Sequence, residues 1–100
     1  MAQTFITGKL TLVEPVETKE SYSSQRIEVT VLEFDSTTGQ PKEPQVFPLI
    51  IFNKKITELA ASTKVGQQVM VKAYLRSIKS EKETKTFYNV GLNVAELKTI

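Results

Sequence analysis

The sequence contains no cysteine, no histidine and no tryptophan in its 100 residues. Without cysteine there is no disulfide framework and no thiolate nucleophile, which fits a reducing compartment. Without histidine the chain loses the commonest general base and the commonest metal ligand. Ser–His and Cys–His nucleophile systems are excluded with them. The carboxylates do not fill the gap. Glu14, Glu17 and Glu20 lie in a polar stretch near Pro15, and Glu81 and Glu83 lie in a charged turn. Neither group has ligand spacing of the EF-hand kind. We therefore expect neither an enzyme nor a metal or cofactor carrier. No apolar run approaches the roughly 18 residues of a membrane span, so no membrane partner is expected. The opening MAQTFITGKL lacks the charged and then apolar segments of a signal peptide, and a cytoplasmic location is expected.

What is present is ordinary globular composition, 40% hydrophobic and 24% charged. A chain of this length makes one domain with a modest core, and such a core gains from oligomerisation. Net charge is +2, but it is unevenly placed. Residues 1–50 carry four basic against seven acidic side chains, and residues 51–100 carry nine against four. A basic half is either an electrostatic footprint for polyanions or a lysine-rich solvated surface.

Residues 5–13, FITGKLTLV, alternate, with Ile6, Leu10 and Leu12 on one face. Period two predicts a half-buried strand, and Gly8 inside it predicts a bend or bulge. Residues 14–25 are polar and read as a long loop carrying Tyr22. Residues 26–34 alternate again, with Ile27, Val29 and Val31 opposite Arg26, Glu28, Thr30 and Leu32. Residues 35–44 are rich in turn formers. Gln45 to Phe52 is nearly continuous apolar, and Pro48 within it calls for an edge or a bulge. Asn53 is a good helix N-cap, and Ile56, Leu59 and Ala60 form a narrow apolar stripe after it. Beyond Val65-Gly66, Val69, Val71, Ala73 and Leu75 alternate with Met70, Lys72, Tyr74 and Arg76. Ser77 to Lys85 reads as a charged tip. In the last strand Tyr88, Val90, Leu92 and Val94 oppose Phe87, Asn89, Gly91 and Asn93. The order of three strands, helix and two strands predicts an all-β fold with one short helix. The expected architecture is a small five-stranded closed barrel, with the helix between the third and fourth strands.

Three segments carry a family resemblance: TGKLTLVEPV at the first strand, FNKKITEL at the strand-to-helix step and KVGQQVMVKAYLRS at the fourth strand. Their order and spacing resemble the single-stranded DNA-binding protein superfamily of OB-folds, in its small bacterial and phage branch. Ala73 departs from the pattern, which usually has glycine there. The missing tryptophans depart from it too, since better-known members stack bases on them. The resemblance implies a single OB-fold domain over residues 1–100 that binds single-stranded DNA, with RNA left open, and that forms a homodimer or homotetramer. An OB-fold used as a protein–protein adaptor is the other reading, because one fold hosts several functions.

The resemblance also implies where binding sits: the outer face of the second and third strands, flanked by the first and last inter-strand loops. Such a site needs cations for the backbone and aromatic faces for the bases. Arg26 is the expected contact at the start of the second strand, unless it merely pairs a glutamate across the strand. Arg76, Lys79, Lys82 and Lys85 flank the last hairpin as a clamp, although Glu81 and Glu83 interleave with them. Lys72 extends the basic track. Tyr74 and Phe87 are expected stackers from the strands, Tyr22 from the loop, and Phe34 and Phe47 follow. Phe52 is expected in the core beneath the helix, and Lys54 and Lys55 are expected on the solvated surface.

Overall fold

A computed structural model describes residues 2–100. The alternating segments form β1 (Gln3–Val13), β3 (Ser23–Val31), β4 (Gln45–Ile51), β5 (Gln68–Lys82) and β6 (Lys85–Thr99). A two-residue strand, β2 (Glu17–Thr18), lies within the stretch expected to be loop and pairs with Ser23 and Ser24. The second long strand therefore starts three residues earlier than its alternation suggested, and it stops at Val31 rather than at Phe34. The one helix among the described residues, α1 (Lys54–Ser62), falls between β4 and β5. These are the third and fourth long strands, as expected.

The sheet runs β1-β5-β6-β4-β3, and the pairing of β1 with β3 closes it into a barrel of OB-fold type. Closure rests on β1 serving two neighbours. Gln3–Lys9 pairs with β5, and Lys9–Val13 pairs with β3. The handover comes at the close approach of Gly8 to β3. A Cβ at Gly8 would stand 2.5 Å from the Thr30 carbonyl oxygen. Gly8 thus marks backbone contact, and the bulge itself lies between Leu10 and Leu12. The other seam is thin, a parallel bridge of β4 to β6 at Ile50 and Asn93. Pro48 sits opposite Glu28 on the β3 side of β4. Its missing N–H is tolerated because β6 meets β4 only at Ile50.

Leu10, Ile27, Val29, Leu49, Ile51, Val69, Val71 and Ala73 are fully buried and make the core with Ile6, Ala60, Val94 and Leu97. Each buried Val, Leu or Ile contributes about 1.5–3 kcal/mol relative to exposure. α1 packs against β4 and β6 and puts Ala60 into the core. Its cap is Asn53, whose side chain accepts from the Lys55 N–H at 2.9 Å and the Ile56 N–H at 3.4 Å. Ala60 and Thr57 turn inward, while Leu59 is 39% exposed. The stripe is therefore rotated from the expected one. Thr57 is tolerated inside because its hydroxyl donates to the Lys54 carbonyl at 2.7 Å.

The largest departure concerns the last hairpin. Residues 77–85 are not a broad tip: β5 and β6 stay paired out to Lys82 and Lys85, leaving Glu83 and Thr84 as the turn. Glu83 takes φ 57, in the left-handed region that glycine prefers. Residues 75–91 are exposed throughout, so the hairpin is an arm standing off the barrel. By register, Arg76, Ile78, Ser80, Lys82, Lys85, Phe87, Asn89 and Gly91 share one face of the arm. Ser77, Lys79, Glu81, Thr86, Tyr88 and Val90 share the other.

Candidate nucleic-acid interface

Alternation along β3 and β4 sends Ile27, Val29, Leu49 and Ile51 into the core, so the residues between them form the outer face. Arg26 lies opposite Ile50 there, and Glu28 opposite Pro48. The parallel bridge carries this face from Ile50 to Asn93 on β6, and Asn93 pairs with Tyr74 on β5. Ile50 is the hinge of two shallow grooves. One, about 240 Å³, is lined by Phe52, Arg76, Ile78, Asn89, Gly91 and Asn93 among others. The second, about 220 Å³, is lined by Arg26, Ser24, Pro15, Glu14 and Glu17. The face thus runs from an arginine on β3, over an apolar centre, to an arginine at the root of the arm.

Aromatic rings stand at its end. Tyr22 and Phe52 meet edge to face, with centroids 5.9 Å apart and planes at 65°. They are 52% and 45% exposed. This corrects the expectation for Phe52, which is not beneath the helix. It follows Ile50 by two residues just past the end of β4, and it opens onto the groove. The continuous apolar run hid that direction, although alternation from the buried Leu49 and Ile51 would have pointed to it. Ile50, Ile78, Asn89, Gly91 and Asn93 were also missed, because none is charged or aromatic. Gly91 has open space where its Cβ would be, which keeps the groove floor low beside Arg76.

The structure brings Tyr22, Arg26 and Arg76 to this face. Phe87, Lys82 and Lys85 continue the Arg76 side out along the arm, and Tyr74 is half-buried beside Asn93. The other expected residues lie elsewhere. Lys79 is on the reverse face of the arm, across from Tyr88, and pairs with Glu81 at 3.6 Å. Lys72 sits on the β1–β5–β6 wall, between Phe5 and Glu96 by register. Phe47 packs against the core and lines a separate apolar groove of about 500 Å³ with Phe5, Val31, Leu75, Val90 and Leu92. Phe34 is 61% exposed on the β3–β4 loop, bridged to Pro41. That loop is shaped by Asp35, whose carboxylate accepts from the Thr38 and Thr37 N–H groups at 2.9 and 2.8 Å. These bonds hold its pKa below the usual carboxylate value.

The charge on the face is divided. Arg26 Nη2 lies 3.5 Å from Glu28 Oε1, and Glu14 and Glu17 line the same groove. The Arg76 side carries Lys82 and Lys85 on the same face of the arm, and its ion-paired carboxylate, Glu81, is on the reverse. Gln25, 4% exposed, braces the Arg26 side from within, its side-chain amide donating to the Glu14 carbonyl at 2.9 Å. Among the described residues no group of three or more His, Cys, Asp or Glu side chains is placed to hold a metal ion. Among them, too, no helix is long and apolar enough to cross a membrane.

A closed five-stranded barrel with a helix between its third and fourth long strands is the OB-fold. The family model of the single-strand binding proteins matches residues 1–100, and the chain belongs to that family. No curated protein matches it. Among solved structures, the single-strand binding protein of Plasmodium falciparum in complex with ssDNA aligns with a TM-score of 0.74 at 12% identity, covering 100% of this chain and 95% of that one. The small single-stranded DNA-binding protein from Streptomyces coelicolor aligns at 0.68 and 15%, covering 98% and 93%. A mitochondrial single-stranded DNA-binding protein from S. cerevisiae aligns at 0.73 and 14%, covering 99% and 94%. At these identities the shared property is the fold.

Proposed function

We propose that the protein binds single-stranded DNA across the outer face of β3, β4 and β6, with the β5–β6 arm holding the phosphate backbone. The observation that carries this reading is the groove between Phe52 and Arg76, with the Tyr22–Phe52 corner at one end and the cations of the arm at the other. Exposed rings give bases a surface to stack on, and a line of cations gains by releasing counterions condensed on phosphate. Family membership supports the same ligand. The arm is a two-stranded ribbon, marginal alone in water, so a bound strand would also order it.

The test is fluorescence anisotropy of labelled oligo-dT over a salt series, beside a duplex of equal length. Single strand is expected to bind more tightly than duplex. With phosphates on Arg76, Lys82 and Lys85, log K should fall against log salt with a slope of about −2. No binding to oligo-dT at low salt would defeat the reading. RNA is the companion probe, because no contact described above depends on a missing 2′-hydroxyl.

The working unit is a homo-oligomer on this reading, joined through the first half of β1. Gln3–Thr7 pairs with β5 on one side only, which leaves its other edge open. That edge, QTFIT, has no charge and no proline, the usual guards against edge-to-edge pairing. Phe5 stands on it 63% exposed, beside the apolar groove. A second copy brings an identical edge and can pair with it about a two-fold axis. Phe5→Glu is expected to shift the protein to monomer by sedimentation velocity with its circular dichroism unchanged. An oligomer that survives Phe5→Glu would place the interface elsewhere.

A further inference from the structure

Glu28 stands where a nucleic-acid face should least want it. It projects from the middle of β3, with its side chain 28% exposed, on the face that the proposed function gives to the strand. Its neighbour across the sheet is Pro48, a flat apolar ring with no N–H. Arg26 Nη2 lies 3.5 Å from Oε1, an ion pair that draws the carboxylate along β3. Among the described residues, no hydrogen bond to the Glu28 carboxylate is formed and no second cation lies within ion-pair distance. The carboxylate is therefore ion-paired on its Oε1 side, and both oxygens have room to accept a hydrogen bond.

On this side the carboxylates of Glu28, Glu14 and Glu17 outnumber the one cation, Arg26, so the field disfavours phosphate. The cations of the arm lie on the other side. A strand crossing the face is thus oriented, with phosphates toward the arm and base edges toward β3. A carboxylate facing base edges is selective, because it can only accept hydrogen bonds. Cytosine presents the N4 amino donor to such a group. Guanine offers two adjacent N–H donors on its Watson–Crick edge. Thymine offers one N–H flanked by two carbonyl oxygens, which repel the carboxylate.

Resting on the single-strand reading, we propose that Glu28 is a specificity residue: it biases an otherwise tolerant face toward amino-bearing bases and against thymine. The bias is local, one base in the bound stretch. Arg26 acts as its positioning partner.

The experiment compares labelled oligo-dC and oligo-dT of equal length at one low salt concentration and mildly alkaline pH, on the full chain and on Glu28→Gln. The native protein is expected to bind oligo-dC about fivefold more tightly than oligo-dT, the effect of one good acceptor–amine contact. In Glu28→Gln, glutamine both donates and accepts, so the ratio should fall toward one, mainly through tighter oligo-dT binding. Equal melting temperatures of the two proteins would establish that the change is local. Equal native affinities for the two oligonucleotides would overturn the proposal. So would a Glu28→Gln protein that binds both more tightly with the ratio kept, because Glu28 would then act by charge alone. Failure of both oligonucleotides to bind the native protein would instead sink the single-strand reading and this inference with it.

Discussion

Gly8→Val is expected to lower the melting temperature by about 15 °C, the largest effect of any single change outside the buried aliphatic core. The added Cβ would lie 2.5 Å from the Thr30 carbonyl oxygen, 3.0 Å from Val29 Cγ1 and 3.1 Å from the Thr30 carbonyl carbon. Two of those atoms are backbone. They cannot rotate away, because Thr30 pairs with Lys9, the residue after the glycine. Relief requires β1 to lift from β3, which opens the barrel at its closing seam. Overpacking of this kind costs about 1–3 kcal/mol, and loss of the seam puts the cost at the upper end. In a domain of this size each kcal/mol moves the melting temperature by about 4–8 °C. Gly8→Ala should retain most of the effect, since the first carbon makes the clash. Gly91→Ala is the control, because a Cβ there meets nothing within 4 Å. A Gly8→Val protein that melts like the native one would mean that the two strands do not approach so closely.

Phe52→Ala is expected to weaken single-strand binding by at least tenfold while shifting the melting temperature by only a few degrees. A base stacked on an aromatic ring is worth about 1–3 kcal/mol, which spans roughly five- to 150-fold in affinity. Removing Phe52 also strips Tyr22 of its edge-to-face partner, so two platforms are affected by one change. The structural cost is limited because the ring is already 45% exposed. Leu49→Ala marks the contrast. Leu49 is fully buried on β4, three residues before Phe52, and its truncation should cost about 2–5 kcal/mol of stability. Anisotropy with oligo-dT and thermal melting on the same three proteins separate the two roles. A Phe52→Ala protein that binds normally but melts far lower would return the ring to the core.

The barrel was legible in the sequence because its strands are half-buried. Ile27 and Val29 against Arg26 and Glu28, or Val69, Val71 and Ala73 against Met70 and Lys72, declare a face by alternation alone. Asn53 declared the helix start through its side-chain acceptor. Legibility stopped where one face ceased to be buried. The pattern from Ser77 to Lys85 looked like a loop because an arm with water on both sides needs no alternation. Phe52 was misplaced for the opposite reason, since a run apolar on both faces gives no parity to read. Leu59 lost its place to Thr57 because a threonine that bonds its own helix can be buried, which hydropathy does not register. The candidate site was half visible. Charges and rings announce themselves, but the floor made by Ile50, Gly91 and Asn93 is set by which strands meet, and so is the sorting of Lys79 from Lys82.

The double duty of β1 has a temporal consequence. Its partners lie far along the chain, with β3 beginning at Ser23 and β5 reaching Lys82. At a synthesis rate of about 5–20 residues per second, β1 leaves the ribosome several seconds before all of β5 exists. Throughout that interval QTFIT has both edges bare, the one that β5 later pairs as well as the one that stays open. Closure is a non-local event, and chains dominated by such pairings fold in milliseconds to seconds, far more slowly than helical domains of equal length. The nascent protein therefore passes through a window in which its most adhesive strand is bare, and crowding of many nascent copies is the condition under which that strand would find the wrong neighbour first.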